Sequence, residues 1–79
     1  MTAELAARIE KATARYGGFA STHEAMGVAL EEWDEFRDAV KSNDLDEIRK
    51  EALDLAAVLV RLAGQIESFD GKFANRSGK

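Results

Sequence analysis

Apolar residues recur with the period of an α-helix in three stretches of the chain, and no stretch alternates with period two for long enough to indicate a strand. In the first, about residues 2 to 15, Leu5, Ile9 and Ala12 mark a narrow stripe that must lie against another element. Gly17-Gly18 ends it, because glycine tolerates the left-handed backbone of a helix terminus. The second stretch opens on Ser21-Thr22-His23-Glu24, in which Ser21 can cap the amide of Glu24 while the Glu24 side chain reaches back, a capping box. It runs to about Lys41, with Met26, Leu30, Trp33, Phe36 and Val40 on one side. Ser42-Asn43-Asp44 breaks it, and Asp44 is placed to cap a third helix from about Leu45 to Phe69. The pattern predicts an all-α fold, with residues 1–70 forming the domain and 71–79 a frayed tail.

Seventy-nine residues make one small domain with a modest core of its own. Cysteine and proline are absent and His23 is the single histidine, which removes disulfides and Cys/His zinc sites as ways to reinforce that core. Oligomerisation is the remaining route. The third helix makes the same demand, since Ile48, Ala52, Leu55, Val58, Leu59, Leu62, Ile66 and Phe69 form an apolar surface too broad for three helices to cover. The expected architecture is a three-helix subunit that completes a four-helix-type bundle as a homodimer or homotetramer.

The formal net charge is −4 and the basic residues are scattered rather than striped, which argues against a nucleic-acid partner. Asp54 and Arg61 interrupt the apolar run ALDLAAVLVRLAG, so no membrane span is expected. The start MTAELAARIEK lacks a basic segment followed by an apolar one, and a cytoplasmic protein is the expectation.

The segment VALEEWDEFRDA places five acids in twelve helical positions, Glu31, Glu32, Asp34, Glu35 and Asp38. Successive helical residues advance about 100° around the axis, which separates these acids into two kinds. Asp34 and Asp38 fall beside exposed positions. Glu32 and Glu35 share one face, Glu32 among Ala25, Val28, Phe36 and Ala39, and Glu31 stands at the margin beside Glu35. On the third helix Glu51 is flanked by Leu55, Val58 and Leu62, with Asp54 beside it. Two helices thus each direct a pair of carboxylates toward apolar surroundings. Such a group requires a raised pKa, a basic partner or a metal, and too few basic neighbours exist to pair all four. A hard divalent cation with oxygen ligands, Mg²⁺ or Mn²⁺, meets the demand.

At these residues the chain resembles the MazG-like, all-α nucleoside triphosphate pyrophosphohydrolases. Their pattern of E-E-x-x-E on one helix and E-x-x-D on the next is matched by Glu31-Glu32-Trp33-Asp34-Glu35 and by Glu51-Ala52-Leu53-Asp54, and YGGFASTHEAMGVALEEWDEF resembles the phage and bacterial branch. The resemblance covers about residues 8 to 66. It implies Mg²⁺-dependent hydrolysis of a nucleoside triphosphate between its α and β phosphates. It also implies Glu32, Glu35, Glu51 and Asp54 as metal ligands and Glu31 and Glu35 as catalytic groups, Glu31 to orient or deprotonate the attacking water. In one departure, Arg61 stands where relatives often carry an asparagine, about seven residues after the Asp. The chain is also short at its C-terminus, where longer relatives add a helix, and a second subunit is expected in its place.

Substrate-binding candidates are Arg61, His23 and Tyr16. Arg61 lies two turns beyond Asp54 on the same stripe, where it can pair with a phosphate or, alternatively, with Glu47, Asp54 or Glu67. His23 sits at a helix start that favours an anion, though a role in the cap competes. Tyr16 and Phe19 can stack on a base, with burial in the bundle as the alternative. Lys11, Arg15 and Lys50 are further basic candidates for triphosphate contact. Trp33 is expected at a subunit interface. The competing function is a non-catalytic oligomerisation or regulatory module of the same fold. A carboxylate-bridged di-iron bundle is disfavoured, because no histidine stands at the Glu-x-x-His spacing such sites use.

Overall fold

The computed structural model describes residues 2–69, and the expected tail at 71–79 lies outside them. Among the described residues there are three helices, α1 (Ala3–Tyr16), α2 (Thr22–Ser42) and α3 (Leu45–Gln65), followed by a 3-10 turn (Ile66–Ser68). No strand occurs among them.

Each helix end is set by local chemistry that the sequence carries. The Thr2 hydroxyl accepts from the Leu5 amide at 3.1 Å to open α1, and Gly17, at φ 70°, closes it by donating its N–H to the Thr13 carbonyl. The Ser21 hydroxyl accepts from the Glu24 amide at 3.0 Å, while the Glu24 carboxylate accepts from the Ala20 amide at 2.7 Å, one residue ahead of the cap. Asn43 takes the left-handed conformation at the end of α2. Asp44 then accepts from the amides of Asp46 and Glu47 at 3.1 and 3.2 Å. The α-helical part of α3 ends at Gln65, four residues short of the expected Phe69. Gly64 weakens its last turn, and the chain tightens into the 3-10 turn.

α2 and α3 form an antiparallel hairpin through Asn43-Asp44, and α1 runs parallel to α3 along its flank. Three contacts fix that direction, since the partners rise together on both helices. Arg49 donates two hydrogen bonds to Glu4 at 2.7 and 2.5 Å, Arg8 is ion-paired with Asp54, and Arg61 donates to the Gly17 carbonyl at 3.0 Å. The Gly17–Ser21 segment is tied to the end of α3 by Gln65, which accepts from the Phe19 amide at 2.8 Å and donates to the Phe19 carbonyl at 2.6 Å. A Cβ on Gly18 would stand only 3.0 Å from the Gln65 side chain, so a larger residue there would press on this clamp.

Phe19, Ala25 and Val58 form the core, with Val28, Ala29, Leu62 and Phe69 packed around it. α2 turns its small residues inward, Ala25 and Ala39 being buried, which lets its backbone approach α3 at Ala57 and Val58. The large stripe anticipated on α2 faces solvent instead, with Met26 55%, Leu30 56% and Trp33 47% exposed. Leu59 and Val60 on α3 and Ile66 in the 3-10 turn are exposed as well. No helix among the described residues is long and apolar enough to cross a membrane.

Candidate metal and nucleotide site

The inward face of α2 carries one acid among its alanines, Glu32, and the hairpin sets Glu51 of α3 against it. One carboxylate oxygen each from Glu32, Glu35 and Glu51 lies within 4.8 Å of the others. Glu51 is buried, Glu32 half-buried and Glu35 exposed, so the cluster opens from the core to solvent. Glu32 Oε2 and Glu51 Oε1 are buried without a hydrogen-bond partner. The nearest cation is Lys50, with its Nζ 3.8 Å from Glu51 Oε2.

Electrostatics records the same crowding. The Glu32 carboxyl is pushed up to about 7, first by burial and then by the charges of Glu35, Asp54 and Glu51, with a hydrogen bond to Glu35 adding to the shift. Burial also raises Glu51; Lys50 opposes the shift, while Asp54, Glu35 and Glu47 add to it. Two buried acceptors without donors, converging with a third carboxylate, make an all-oxygen donor set suited to a hard divalent cation. The residues therefore fit such an ion.

Asp54 stands apart from these three. Its carboxylate pairs with Arg8 of α1, so the metal ligand expected from the E-x-x-D pattern is held by a guanidinium. Glu31, Glu32 and Asp54 line a cleft of about 730 Å³ whose apolar walls include Phe19, Val28, Ala57 and Val58. Its volume lies in the range of roughly 300–1,000 Å³ typical of small-molecule sites. Glu35 and Glu51 do not line it.

Of the substrate candidates, Arg61 and Tyr16 line the cleft and His23 does not. His23 is exposed in the first turn of α2. Tyr16 is 67% exposed rather than buried, with the Arg15 guanidinium over its ring at 5.2 Å. Phe19 is buried, as anticipated, and Arg61 stacks over its ring at 4.6 Å. The alternative partners of Arg61, namely Glu47, Asp54 and Glu67, are not taken up. Its hydrogen bond goes to the Gly17 carbonyl, and the residue also lines the cleft.

Two residues that shape the site were not singled out from the sequence. Arg8 has a signal there: three residues past Leu5 and four before Ala12, it falls on the packed stripe of α1, where an arginine demands an acidic partner. Gln65 has none, since its target is a loop backbone.

An all-α hairpin that brings acids from two antiparallel helices into one cluster beside a cleft defines a class, the helical bundles whose facing helices carry a carboxylate site. The chain belongs to the MazG family: residues 20–77 match the model of the MazG nucleotide pyrophosphohydrolase domain. That match begins after α1 and includes both acidic segments. Comparisons with curated proteins and with solved structures found no match.

Proposed function

We propose that this protein is a Mg²⁺-dependent pyrophosphohydrolase that converts a nucleoside or deoxynucleoside triphosphate and water to the monophosphate and pyrophosphate. One observation carries the reading: the Glu32–Glu35–Glu51 convergence, with two buried oxygens that have no donor. Glu32, Glu35 and Glu51 would hold the cation, Mg²⁺ or Mn²⁺, with Asp54 joining once Arg8 releases it. When bound, the ion neutralises phosphate charge and acidifies a coordinated water.

The chain's own groups account for the rest. The apolar walls at Phe19, Val28 and Val58 receive the nucleoside, and Arg61, stacked on Phe19, would reach a phosphate from that end of the cleft. Glu31, at the cleft margin, orients the attacking water and takes its proton, with Glu35 beside it one turn on. A new oxygen–phosphorus bond forms at the α-phosphorus as its bond to the bridging oxygen breaks. Pyrophosphate leaves with the bridging oxygen. No Ser, Cys or His nucleophile is required.

A panel of common nucleotides with product identification tests the proposal. Pyrophosphate release from at least one is expected with Mg²⁺, and its loss in Glu35→Gln or Asp54→Asn while the helical circular dichroism persists. No product with either Mg²⁺ or Mn²⁺ would count against it. The solvent-facing stripe of α2 supports assembly into a homodimer or homotetramer. The same stripe is what a non-catalytic oligomerisation module would use. In that case Glu→Gln changes at Glu32, Glu35, Glu51 and Asp54 leave function intact, and Mg²⁺ does not raise thermal stability.

A further inference from the structure

Beyond Asp54 the acidic cleft continues into a second groove, of about 540 Å³, between α1 and α3. The two share Arg8, Ala12, Tyr16 and Asp54, so they form one trough with an acidic end and a basic end. The basic end is lined by Arg8, Lys11, Arg15 and Lys50 against two carboxylates, Glu4 and Asp54. Both carboxylates are already committed, Glu4 to Arg49 and Asp54 to Arg8. In a chain of net charge −4 this is a local excess of positive charge, only partly met by the Arg8–Asp54 pair, the 3.8 Å approach of Lys50 to Glu51 and the stacking of Arg15 on Tyr16.

The arrangement along α1 strengthens the point. Arg8, Lys11 and Arg15 follow at three- and four-residue steps on one helix face, where like charges repel. Among the described residues no carboxylate pairs with Lys11 or Arg15. They stand about 6 Å apart along the axis, close enough for both to reach one diphosphate. The match to the MazG domain begins at residue 20, so it does not speak for α1.

We propose that Lys11 and Arg15 of α1, with Lys50, bind the terminal two phosphates of the substrate, the portion that departs as pyrophosphate. The assignment rests on the pyrophosphohydrolase reading for its substrate, and it runs the nucleotide along the trough. The nucleoside sits at the Phe19 end, the scissile bond at the carboxylates, and the leaving group against α1. Arg8 sits at the junction, where moving from Asp54 to a phosphate would exchange one anion for another.

Direct titration of inorganic pyrophosphate into the full chain with Mg²⁺ provides the test, comparing the protein with Lys11→Ala, Arg15→Ala and the double variant. Neither side chain bridges to another helix, so the variants should retain the fold, with circular dichroism melts as the check. Pyrophosphate affinity should fall at least ~10-fold in the double variant, as expected for losing charge-assisted hydrogen bonds, and Lys11→Arg should restore most of the Lys11→Ala loss. KM for the triphosphate should rise in step with little change in kcat, and monophosphate affinity should hold. Unchanged pyrophosphate affinity in a folded double variant, or an equal loss of monophosphate affinity, would overturn the assignment. Were the protein to hydrolyse triphosphates with pyrophosphate affinity unmoved, this subsite alone fails. Were pyrophosphate bound through Lys11 and Arg15 with no triphosphate hydrolysed, the activity alone fails.

Discussion

As a proposed cation ligand, Glu32 would join stability to cation binding in a single side chain. Its carboxyl is raised from 4.5 to about 7 in the fold, so between those values the folded protein holds a proton that the unfolded chain has released. The stability from this group is fully present below pH ~4.5 and is lost as pH rises through about 7. Thermal melts of metal-free protein should therefore show a falling Tm over that window. Adding Mg²⁺ or Mn²⁺ above pH 7 should raise Tm again, since the ion replaces the proton. Glu32→Gln should flatten the pH dependence and remove the metal response; a metal-induced Tm rise that survives the substitution would exclude Glu32 as a ligand. The helical bearings of Glu32, Glu35 and Glu51 made their grouping legible in the sequence, because the period of a helix and one hairpin suffice to relate them. The Arg8 grip on Asp54 was harder to read, since it depends on where a separate helix lies.

Helix ends were legible for a related reason: Ser21, Asn43 and Asp44 act on backbone only a few residues away. The orientation of α2 was not. Period alone marks Met26, Leu30 and Trp33 as an apolar stripe, yet close helix approach favours alanine, and the inward face went to Ala25 and Ala39. Gln65 shows a second kind of long-range dependence, one side chain satisfying both backbone groups of Phe19. Gln65→Ala should cost about 1–3 kcal/mol, the penalty for leaving such groups unpaired, and should speed hydrogen exchange at the Phe19 amide more than in the middle of α3. Equal exchange rates in the variant and the parent would show that the segment holds its place without this clamp.

For the whole molecule, breadth of apolar surface was legible and its covering was not, because one chain does not display its neighbour. The described residues bury no large side chain fully, while Met26, Leu30, Trp33 and Leu59 remain about half exposed. A second copy laid on this face accounts for both. Sedimentation at micromolar concentration should show a dimer or tetramer, and Leu30→Glu with Trp33→Lys should shift it to monomer with loss of Tm. A monomeric parent protein would remove the oligomer from the proposal.

The parallel seating of α1 on α3 draws on charge as well as on the half-buried Leu5, Ile9 and Ala12. No residue of α1 is buried, and what joins it to α3 includes the Glu4–Arg49 and Arg8–Asp54 ion pairs. Ionic strength then acts on one helix selectively. As salt screens these pairs, α1 should exchange its amide hydrogens faster while the α2–α3 hairpin keeps its protection. A detaching helix would release Asp54 as it goes, so if Asp54 joins the cation as proposed, divalent-cation affinity should change with the salt around the protein through a helix that touches only that one proposed ligand.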